Sequence, residues 1–589
     1  MPFADLRSFL RALENQKELK RVPVEVDPEL EITEIAARVV REEGPALLFE
    51  GVKGASYRLA INIFGNPRRV AIALGKPPQE LGAELARLVQ AVHPPSLPAL
   101  WKSRRTLARM LSMRVQHVGS APSQEVVEAP ALDRWPILKC WPGDAGRFIT
   151  FPLVITHHPL TRARNVGLYR LQVHSPSSVG LHWQIQKGGG FHYAEAEKRA
   201  QSLPVAVAVG ADPYLLMAAI APLPEGMDEI AFSGFLRGRP TPMVRARRIP
   251  MDVPANAEFI LEGDAAPQER VMEGPFGDHF GHYSHAAPFP VLRVRQITRR
   301  KDPIYLAAVV GKPPQEDRYL GDALQEIMSP LIRMIRPEVS DLWAYYEAGF
   351  HNLLVVAVNQ RYAKEGMKTA LGILGEGQLS LTKCLILVDP QVNVRDFHAV
   401  LHAIQQNFDS HEDVLLLPGV PLDTLDFTSF TMNLGSKMVI DATRKSRASR
   451  GRKAIPAHVL KGDPKRKDPR IMGWHLWDET LLAVQVSKEG RKVLEKLVRD
   501  PDLEGVKIIA AVSPDVDLDD RVSTLWGIFT RFDCARDVMF TETTLVGPVA
   551  RPSGRLGIDA TFKTGYPEPL EMSEEIREKV NVRWSQYGL

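Results

Sequence analysis

Two short segments of the sequence carry residue types that proton transfer requires. Residues 165–172 (NVGLYRLQ) alternate like a strand and place Arg170 among apolar neighbours. Residues 273–279 (EGPFGDH) set Glu273 and Asp278 on a loop whose shape the glycines and the proline can fix. Two carboxylates around one arginine can differ in pKa, because the paired one stays ionised while one against an apolar wall holds a proton near neutral pH. The pattern predicts a general acid, although each segment alone is also typical of an exposed strand arginine or an acidic turn.

Other motifs that could carry chemistry are weaker. His279, His282 and His285 have a spacing that could supply metal ligands, but a loop-like stretch does not make three side chains converge, so we favour a structural role. Residues 187–191 (KGGGF) are glycine-rich but lack the length and the Lys-Ser/Thr of a phosphate-binding loop. The sequence contains no HExxH, no GxSxG and no GxGxxG that opens a helix. These absences weaken the zinc peptidase, hydrolase and dinucleotide-binding interpretations.

The composition is typical of a folded protein with several domains. The chain has 589 residues, of which 44 % are hydrophobic and 24 % charged, and its net charge of +4 is too small to indicate nucleic-acid binding. Its three cysteines, Cys140, Cys384 and Cys534, are far apart and predict neither a disulfide framework nor a zinc site, which favours the reducing cytoplasm. No secretory signal and no run of about 18 apolar residues is found, so we expect a soluble protein, at most peripheral to a membrane.

The elements that must position these segments begin with an α/β region. Apolar residues at helical spacing predict a helix over residues 4–17. Further predictions for this region are a helix at 31–42, strands at 45–50 and 58–63, and a basic helical stretch around 100–115.

The central part of the chain predicts a β-rich domain. Residues 130–325 contain short β-rich runs separated by turn residues, including 231–238 (AFSGFLRG), which indicates a sandwich or a barrel. Residues 320–335 then predict a helix with a kink or a break at Pro330.

The last 200 residues or so contain an internal repeat. Phe408-Asp409 recurs as Phe532-Asp533, and the tetrapeptide at 440–443 recurs at 558–561, with offsets of 124 and 118 residues. Each copy predicts a strand, a helix and a strand, and two copies are too few for a solenoid. Between the copies lie two basic stretches, 444–453 and 461–470, which predict loops. A nucleic-acid-binding or scaffold role for them is disfavoured, because no aromatic residues are interleaved.

These patterns predict an α/β (α+β) protein with a barrel-like centre between α/β flanks. The predicted domains are an N-terminal α/β domain, a central barrel, a first repeat, and a second repeat with the C-terminal helical tail; their bounds are 1–120, 121–325, 326–445 and 446–589.

Together, several motifs resemble the UbiD family of prenylated-FMN-dependent decarboxylases and carboxylases. The resemblance covers roughly residues 1–445, in which the order and spacing of the motifs agree with the family. It implies that the central domain is a split β-barrel that binds the flavin. The matching segments are 165–172, 180–184 (GLHWQ), 210–238, 273–283, 311–317 (GKPPQED), 382–389 (TKCLILVD) and 434–445 (LGSKMVIDATRK).

The resemblance also implies a cofactor site. The flavin phosphate would be held through Mn²⁺, with K⁺ alongside, and the metal ligands would be Asn165, Glu229 and His182. Lys383 would reach the phosphate. The remaining positions that match cofactor contacts of the family are Leu168, Tyr169, Arg170, His182, Trp183, Gln184, Lys187 and Gly188.

The family's acid–arginine–acid network matches Glu273, Arg170 and Asp278. The implied reaction is loss of CO₂ from an aromatic acid on the prenylated flavin, which accepts the electrons. Arg170 would orient the substrate carboxylate and hold Glu273, and protonated Asp278 would return a proton to the carbon that lost CO₂.

The length resembles the bacterial members linked to menaquinone biosynthesis, which decarboxylate a dihydroxynaphthoate. The alternatives are a polyprenyl-4-hydroxybenzoate decarboxylase of ubiquinone biosynthesis and a reversible aromatic carboxylase. The implied partner is a flavin prenyltransferase that supplies the cofactor, and a homo-oligomer, dimer or hexamer, is expected. The second repeat departs from the family pattern, which has one copy.

Overall fold

The computed structural model describes residues 2–92, 98, 101, 104–184, 188–223, 226–445 and 460–589. The chain divides into two compact units. The first unit runs to Ile327 and also includes Glu568–Leu589, and the second unit is Met328–Pro567. No helix within the described ranges is both long and apolar enough to cross a membrane.

The first unit opens with the α/β region that the sequence predicts. The first helix, Leu6–Asn15, begins at Asp5, which forms a capping box with Ser8, and its apolar side chains are buried as predicted. The helices of this unit are Leu6–Asn15, Glu31–Arg41, Pro67–Leu74, Pro78–Val92, Arg104–Met110, Gly188–Lys198, Pro213–Ile220, Glu229–Arg237, the start of Glu316–Ile335, and Glu574–Arg583.

The strands of the first unit are β1 (Leu19–Val26), β2 (Ala46–Val52), β3 (Arg58–Ile61), β4 (Val115–Val118), β5 (Val126–Glu128), β6 (Phe148–Ile149), β7 (Pro152–His157), β8 (Arg164–Leu168), β9 (Leu171–Ser175), β10 (Ser178–Gly180), β11 (Leu203–Val209), β12 (Thr241–Arg245), β13 (Asp252–Pro254), β14 (Phe259–Glu273), β15 (Ala287–Arg299) and β16 (Ile304–Leu306). A small sheet has the order β1-β2-β3-β16, and another has the order β13-β12-β4.

The largest sheet of this unit is the predicted split barrel. Its order is β6-β9-β10-β15-β14-β11-β7-β8, with β5 added beside β15. β8 lies at one end of this order and β9 near the other, yet only Tyr169 and Arg170 separate them in the chain. The sheet must therefore curl until its two ends meet, and Arg170 lies where they meet.

One predicted strand is wrong. Residues 231–237 lie in the helix Glu229–Arg237, and Asp228 caps this helix by accepting from the backbone N–H of Ile230. Gly238 ends this helix in the left-handed conformation, at φ 76°. Its residues Phe232 to Arg237 are all buried, so the segment shows no amphipathic period that would separate a buried helix from a buried strand.

The helix Glu316–Ile335 contains Pro330 and continues through it, so the proline does not break the helix. The predicted loops at the two basic stretches are only partly visible. Residues 446–453 of the first stretch lie outside the described residues, and the second stretch contains the short 3₁₀ helix Pro464–Arg466.

The second unit confirms the internal repeat and shows that it is larger than predicted. Its strands are β17 (Val339–Ala344), β18 (Leu353–Val358), β19 (Cys384–Val388), β20 (Val414–Pro421), β21 (Leu434–Asp441), β22 (Ile471–Trp477), β23 (Leu481–Val486), β24 (Ile508–Val512), β25 (Val538–Val546) and β26 (Val549–Ala560). They form two sheets of the same topology, β17-β18-β19-β21-β20 and β22-β23-β24-β26-β25. The helices of this unit are Glu365–Ile373, Phe397–Asn407, Gly490–Leu497 and Arg521–Phe529.

The two repeats meet through reciprocal contacts, which we call the seam. Lys383 Nζ donates to the carbonyl of Phe532 (3.0 Å), and Lys507 Nζ donates to the carbonyl of Phe408 (3.1 Å). Each lysine and each acceptor lies 124 residues from its counterpart. Buried apolar residues of both repeats form one shared core. The repeats are thus related as two copies across a two-fold axis would be.

The C-terminal tail, predicted together with the second repeat, belongs to the first unit. Its helix Glu574–Arg583 packs on Glu31–Arg41. Buried Glu31 accepts hydrogen bonds from Arg583 and from the hydroxyl of Tyr587 (2.7 Å), and pairs with Lys579 (2.9 Å). This cluster fixes the end of the chain.

Candidate functional site

The structure brings the two predicted acids to opposite sides of one arginine. Arg170 donates from Nε to Glu273 (3.1 Å) and from Nη1 to Asp278. Its third nitrogen, Nη2, donates to Ser284 Oγ (2.9 Å), and the guanidinium lies over the ring of Phe276, 4.7 Å from its centroid. All three charged side chains are at most 9 % exposed. Charges this well shielded from water interact strongly.

Both acids are carboxylates in this arrangement, which differs from the expectation that one holds a proton. Burial raises the pKa of Asp278, but the charge of Arg170 and the hydrogen bonds from His279 outweigh it and hold that pKa well below its usual range. Burial also raises the pKa of Glu273, but His182 and Arg170 outweigh this effect and lower that pKa below its usual value. The predicted role of Asp278 as a general acid would therefore require that a proton first reach it.

Asp144 fixes the loop that carries the acids, and no motif in the sequence pointed to it. Its carboxylate accepts from the backbone N–H groups of Gly277 (2.7 Å), Trp141 (2.8 Å) and Cys140 (3.0 Å). At the start of the loop, Gln172 Oε1 accepts from the N–H of Gly274, whose φ of 87° requires glycine.

The C-terminal tail supports the same loop from the other side. The N–H of Tyr283 donates to the carbonyl of Glu568 (3.1 Å), and the N–H of Leu570 donates to the carbonyl of Gly281 (2.9 Å). A Cβ at Gly277 would come within 2.2 Å of Trp141 and 2.8 Å of Leu570, so the barrel and the tail together leave room there for glycine only. Asp278 is thus held by the barrel and by the end of the chain.

The three histidines of this loop have different surroundings. His279 Nδ1 lies 2.7 Å from Asp278 Oδ1, and the His279 N–H donates to the same oxygen. His282 is buried and its Nδ1 lies 3.1 Å from the carbonyl of Phe280, while His285 is exposed.

Two of the three predicted metal ligands lie together. Glu229 Oε2 accepts from the N–H of Val166 (3.1 Å), which places its carboxylate beside Asn165. Burial raises the pKa of Glu229 to about 7, as expected for a buried carboxylate that a cation does not neutralise. His182 binds Glu273 through Nδ1 (2.8 Å), and its buried Nε2 has no hydrogen-bond partner in the described part of the chain. Within that part, no three His, Cys, Asp or Glu side chains are arranged for a metal.

The predicted cofactor-contacting residues surround a backbone that only glycine allows. A Cβ at Gly188 would lie 2.1 Å from Asn165 Oδ1, and one at Gly189 would lie 2.5 Å from Trp183 Nε1. The hydroxyl of Tyr169 accepts from the N–H of Gly189 (3.3 Å).

The other predicted contacts are placed as follows. Leu168 ends β8, and Trp183 Nε1 has no hydrogen-bond partner among the residues described. Gln184 directly follows Trp183, and Lys187 lies outside the described residues.

Lys383 lies in the second unit, where it belongs to the seam. Its side chain is fully buried, pairs with Asp426 (2.9 Å) and donates to the carbonyl of Phe532. These contacts give no support to the prediction that it reaches a phosphate.

Comparison with known families places the chain. Three domain models of the 3-octaprenyl-4-hydroxybenzoate carboxy-lyase family match this chain. The N-terminal domain model matches residues 10–89, the Rift-related domain model matches 114–313, and the C-terminal domain model matches 318–442 and 472–560. The chain belongs to the UbiD family and is a carboxy-lyase of that family. The family resemblance predicted from the motifs is confirmed.

Relatives and solved structures agree with this family. A protein of Archaeoglobus fulgidus is 44 % identical over 81 % of this chain and 99 % of its own length. A protein of Chlamydia pneumoniae that is named as one subunit of a 4-hydroxybenzoate decarboxylase is 38 % identical over 99 % of this chain and 98 % of its own.

Vanillic acid decarboxylase of Sedimentibacter hydroxybenzoicus, in its closed form, has a TM-score of 0.68 and 26 % identity, and the match covers 79 % of this chain and 96 % of that one. The UbiD-class enzyme HmfF of Pelotomaculum thermopropionicum, in complex with FMN, has a TM-score of 0.63 and 28 % identity over 77 % and 98 % of the chains. Both leave about a fifth of this chain without a counterpart, which is close to the length of one repeat.

Proposed function

We propose that the protein is a prenylated-FMN-dependent decarboxylase of an aromatic carboxylic acid. The observation that carries the proposal is the buried arrangement of Arg170 between Glu273 and Asp278. Structural neighbours bind FMN or prenylated FMN, and a neighbour and a relative are named for decarboxylation of vanillic acid and 4-hydroxybenzoate. We further propose a dihydroxynaphthoate-type substrate in menaquinone biosynthesis, because the long chain resembles that branch of the family.

The residues present fit the cofactor and its metal. Asn165 and Glu229 would hold Mn²⁺, whose hard character suits their oxygen atoms, with K⁺ alongside. The Nε2 of His182, which has no hydrogen-bond partner among the residues that the structure describes, is available as a third ligand. Gly188 and Gly189 let the backbone pack directly against Asn165 and Trp183, two of the residues expected at the cofactor, because any side chain there would clash with them. When bound, the prenylated flavin accepts the electrons that departing CO₂ leaves behind.

The chain's own residues account for substrate binding and for the proton. Arg170 is the buried cation available to a substrate carboxylate, and it already faces two carboxylates. A third negative charge beside it raises the pKa of Asp278, because like charges disfavour the ionised form. Substrate binding is thereby coupled to proton uptake by Asp278, which then donates that proton to the carbon that lost CO₂.

The test is expression of the full chain together with a flavin prenyltransferase, with manganese and potassium supplied. We expect a bound flavin whose mass exceeds that of FMN by one C₅ unit, and CO₂ release from at least one acid of a panel. The panel holds 4-hydroxybenzoate, 3,4-dihydroxybenzoate, vanillate and a dihydroxynaphthoate. Protein that binds no flavin, or that binds it and releases CO₂ from none of these acids, contradicts the proposal.

The supply of the cofactor by a flavin prenyltransferase is part of this proposal. A homo-oligomeric state and a cytoplasmic location stay predictions.

A further inference from the structure

Each turnover of a decarboxylase consumes one proton, and the site must obtain it from water. The substrate carboxylate leaves as CO₂, and a proton takes its place on carbon. Asp278 is the group positioned to give that proton, but its side chain is only 9 % exposed and one oxygen faces Arg170. A route from solvent to Asp278 is therefore required in every turnover.

His279 has the geometry of that route. Its Nδ1 lies 2.7 Å from Asp278 Oδ1, the oxygen that does not face Arg170. Its side chain is 25 % exposed, so it reaches from the buried acid towards water. The backbone N–H of His279 donates to the same oxygen, which holds the carboxylate next to the imidazole ring.

The groups around His279 suit a proton carrier. Asp278 faces it from the same loop, and Arg170 faces Asp278 from the link between β8 and β9. Asp317, at the start of the helix Glu316–Ile335, interacts electrostatically with both His279 and Asp278. The ring of Phe280 lies 5.1 Å from the imidazole. Two acids close to one imidazole favour its protonated form. Arg170 keeps Asp278 ionised until the substrate carboxylate is bound, so the proton moves from His279 to Asp278 only then.

We propose that His279 is the proton relay that protonates Asp278 in each turnover. The inference rests on the proposed function. One proton passes from the imidazolium Nδ1 to Asp278 Oδ1 and from there to the product carbon, and the ring regains a proton from water. No electron transfer or further reactant is required. His279 acts through Asp278 and is a positioning residue in this reaction.

The experiment uses the full-length flavin-loaded enzyme with the panel acid that it decarboxylates fastest. His279→Gln is compared with His285→Gln, which changes an exposed histidine of the same loop. We expect CO₂ release in the first turnover to stay within twofold of wild type in His279→Gln, because CO₂ leaves before Asp278 gives its proton, while the steady-state rate falls at least tenfold. Added imidazole should restore that rate in proportion to its protonated fraction, and His285→Gln should behave as wild type.

Three results would overturn the relay: a wild-type steady state in His279→Gln, an equal loss in the first turnover, or a loss that imidazole does not restore. The last two would show that His279 only maintains the loop.

Failure of the proposed function is recognised separately, because wild type and His285→Gln would then release no CO₂. The relay is tested in that case on the same protein labelled with ¹³C at the aspartate carboxyl groups. The Asp278 signal is identified by its loss in Asp278→Asn. It should titrate at higher pH in His279→Gln than in wild type, and an unchanged titration contradicts the bond on which the relay depends.

Discussion

Charged side chains are buried in two regions of this molecule, around Arg170 in the first unit and along the seam of the second. At the seam each lysine donates to a backbone carbonyl, and the pattern is repeated reciprocally. Around Arg170 two carboxylates share one cation, while Glu273 Oε2 and His182 Nε2 have no partner among the described residues. Burial of charge therefore does not distinguish the two regions, and neither do unpartnered polar atoms, since Asp426 Oδ2 and Gln405 Oε1 of the second unit also lack a hydrogen-bond partner among the described residues. The ion pairs differ: Arg170 faces two buried carboxylates, whereas Lys383 pairs with one. A second buried carboxylate beside one cation suits a site that takes up a proton.

The largest effect is expected from Asp278→Asn. Loss of the proton donor should lower the rate of CO₂ release by about 10²- to 10⁴-fold. The free energy of unfolding should change by only about 1 kcal/mol. The variant loses the attraction between Asp278 and Arg170, but it also no longer bears the cost of burying a second charged carboxylate, and Glu273 still pairs with Arg170. Steady-state rates and urea unfolding of the same preparations measure both. A large loss of stability would show that this site is held together like the seam.

Lys383→Met should have the opposite effect, with a large loss of stability and no loss of activity. Without the lysine, buried Asp426 loses its ion-pair partner, so the free energy of unfolding should fall by about 3–5 kcal/mol. The rate per flavin-loaded molecule should stay that of wild type. Urea unfolding and the flavin absorbance of the folded fraction measure the two effects. Retained stability with loss of flavin would instead support the prediction that Lys383 reaches the phosphate.

Asp144→Asn tests the pH dependence of the loop support. Burial raises the pKa of Asp144 to about 6, above the ordinary aspartate value of 3.8, although its backbone hydrogen bonds act to lower it. The folded state thus binds more protons than the unfolded state between these values, and the free energy of unfolding falls as pH rises through them. The variant should lack this decline, which amounts to about 2 kcal/mol. Urea midpoints at pH 4 and pH 6.5 measure it, and parallel slopes would contradict the assignment.

The smallest effect is expected from Lys507→Met, the counterpart of Lys383→Met. Lys507 is half-buried and donates to the carbonyl of Phe408, so its loss should cost about 1 kcal/mol. The comparison of the two variants by urea unfolding measures how far the repeats have diverged. Equal losses at both positions would show that the hydrogen bond to the carbonyl, and not Asp426, sets the cost.

Much of the fold and the central trio could be predicted from the sequence. The repeat was visible as recurring dipeptides and the barrel as a series of short strands. The motifs placed Arg170, Glu273 and Asp278 in one site, and the structure brings them together. The helix Glu229–Arg237 was missed because a short apolar run has no decisive period.

The supporting residues could not be predicted, because their roles depend on tertiary contacts. Asp144 is distant from Gly277 in sequence, and Leu570 is still further from Gly281. The seam depends on how the two repeats pack against each other, and the repeated sequence motifs do not show that packing. His279 did carry a local signal, since it directly follows Asp278, but its spacing to the next histidines drew attention to metals instead.

The return of the tail to the first unit sets the order in which the site is completed during synthesis. Asp278 leaves the ribosome long before Leu570, which is 292 residues later and supports its loop. At about 5–20 residues per second, this interval lasts roughly 15–60 s. The whole second unit is translated in the meantime. A nascent chain therefore carries Arg170, Glu273 and Asp278 for this interval without the support that Leu570 gives to their loop.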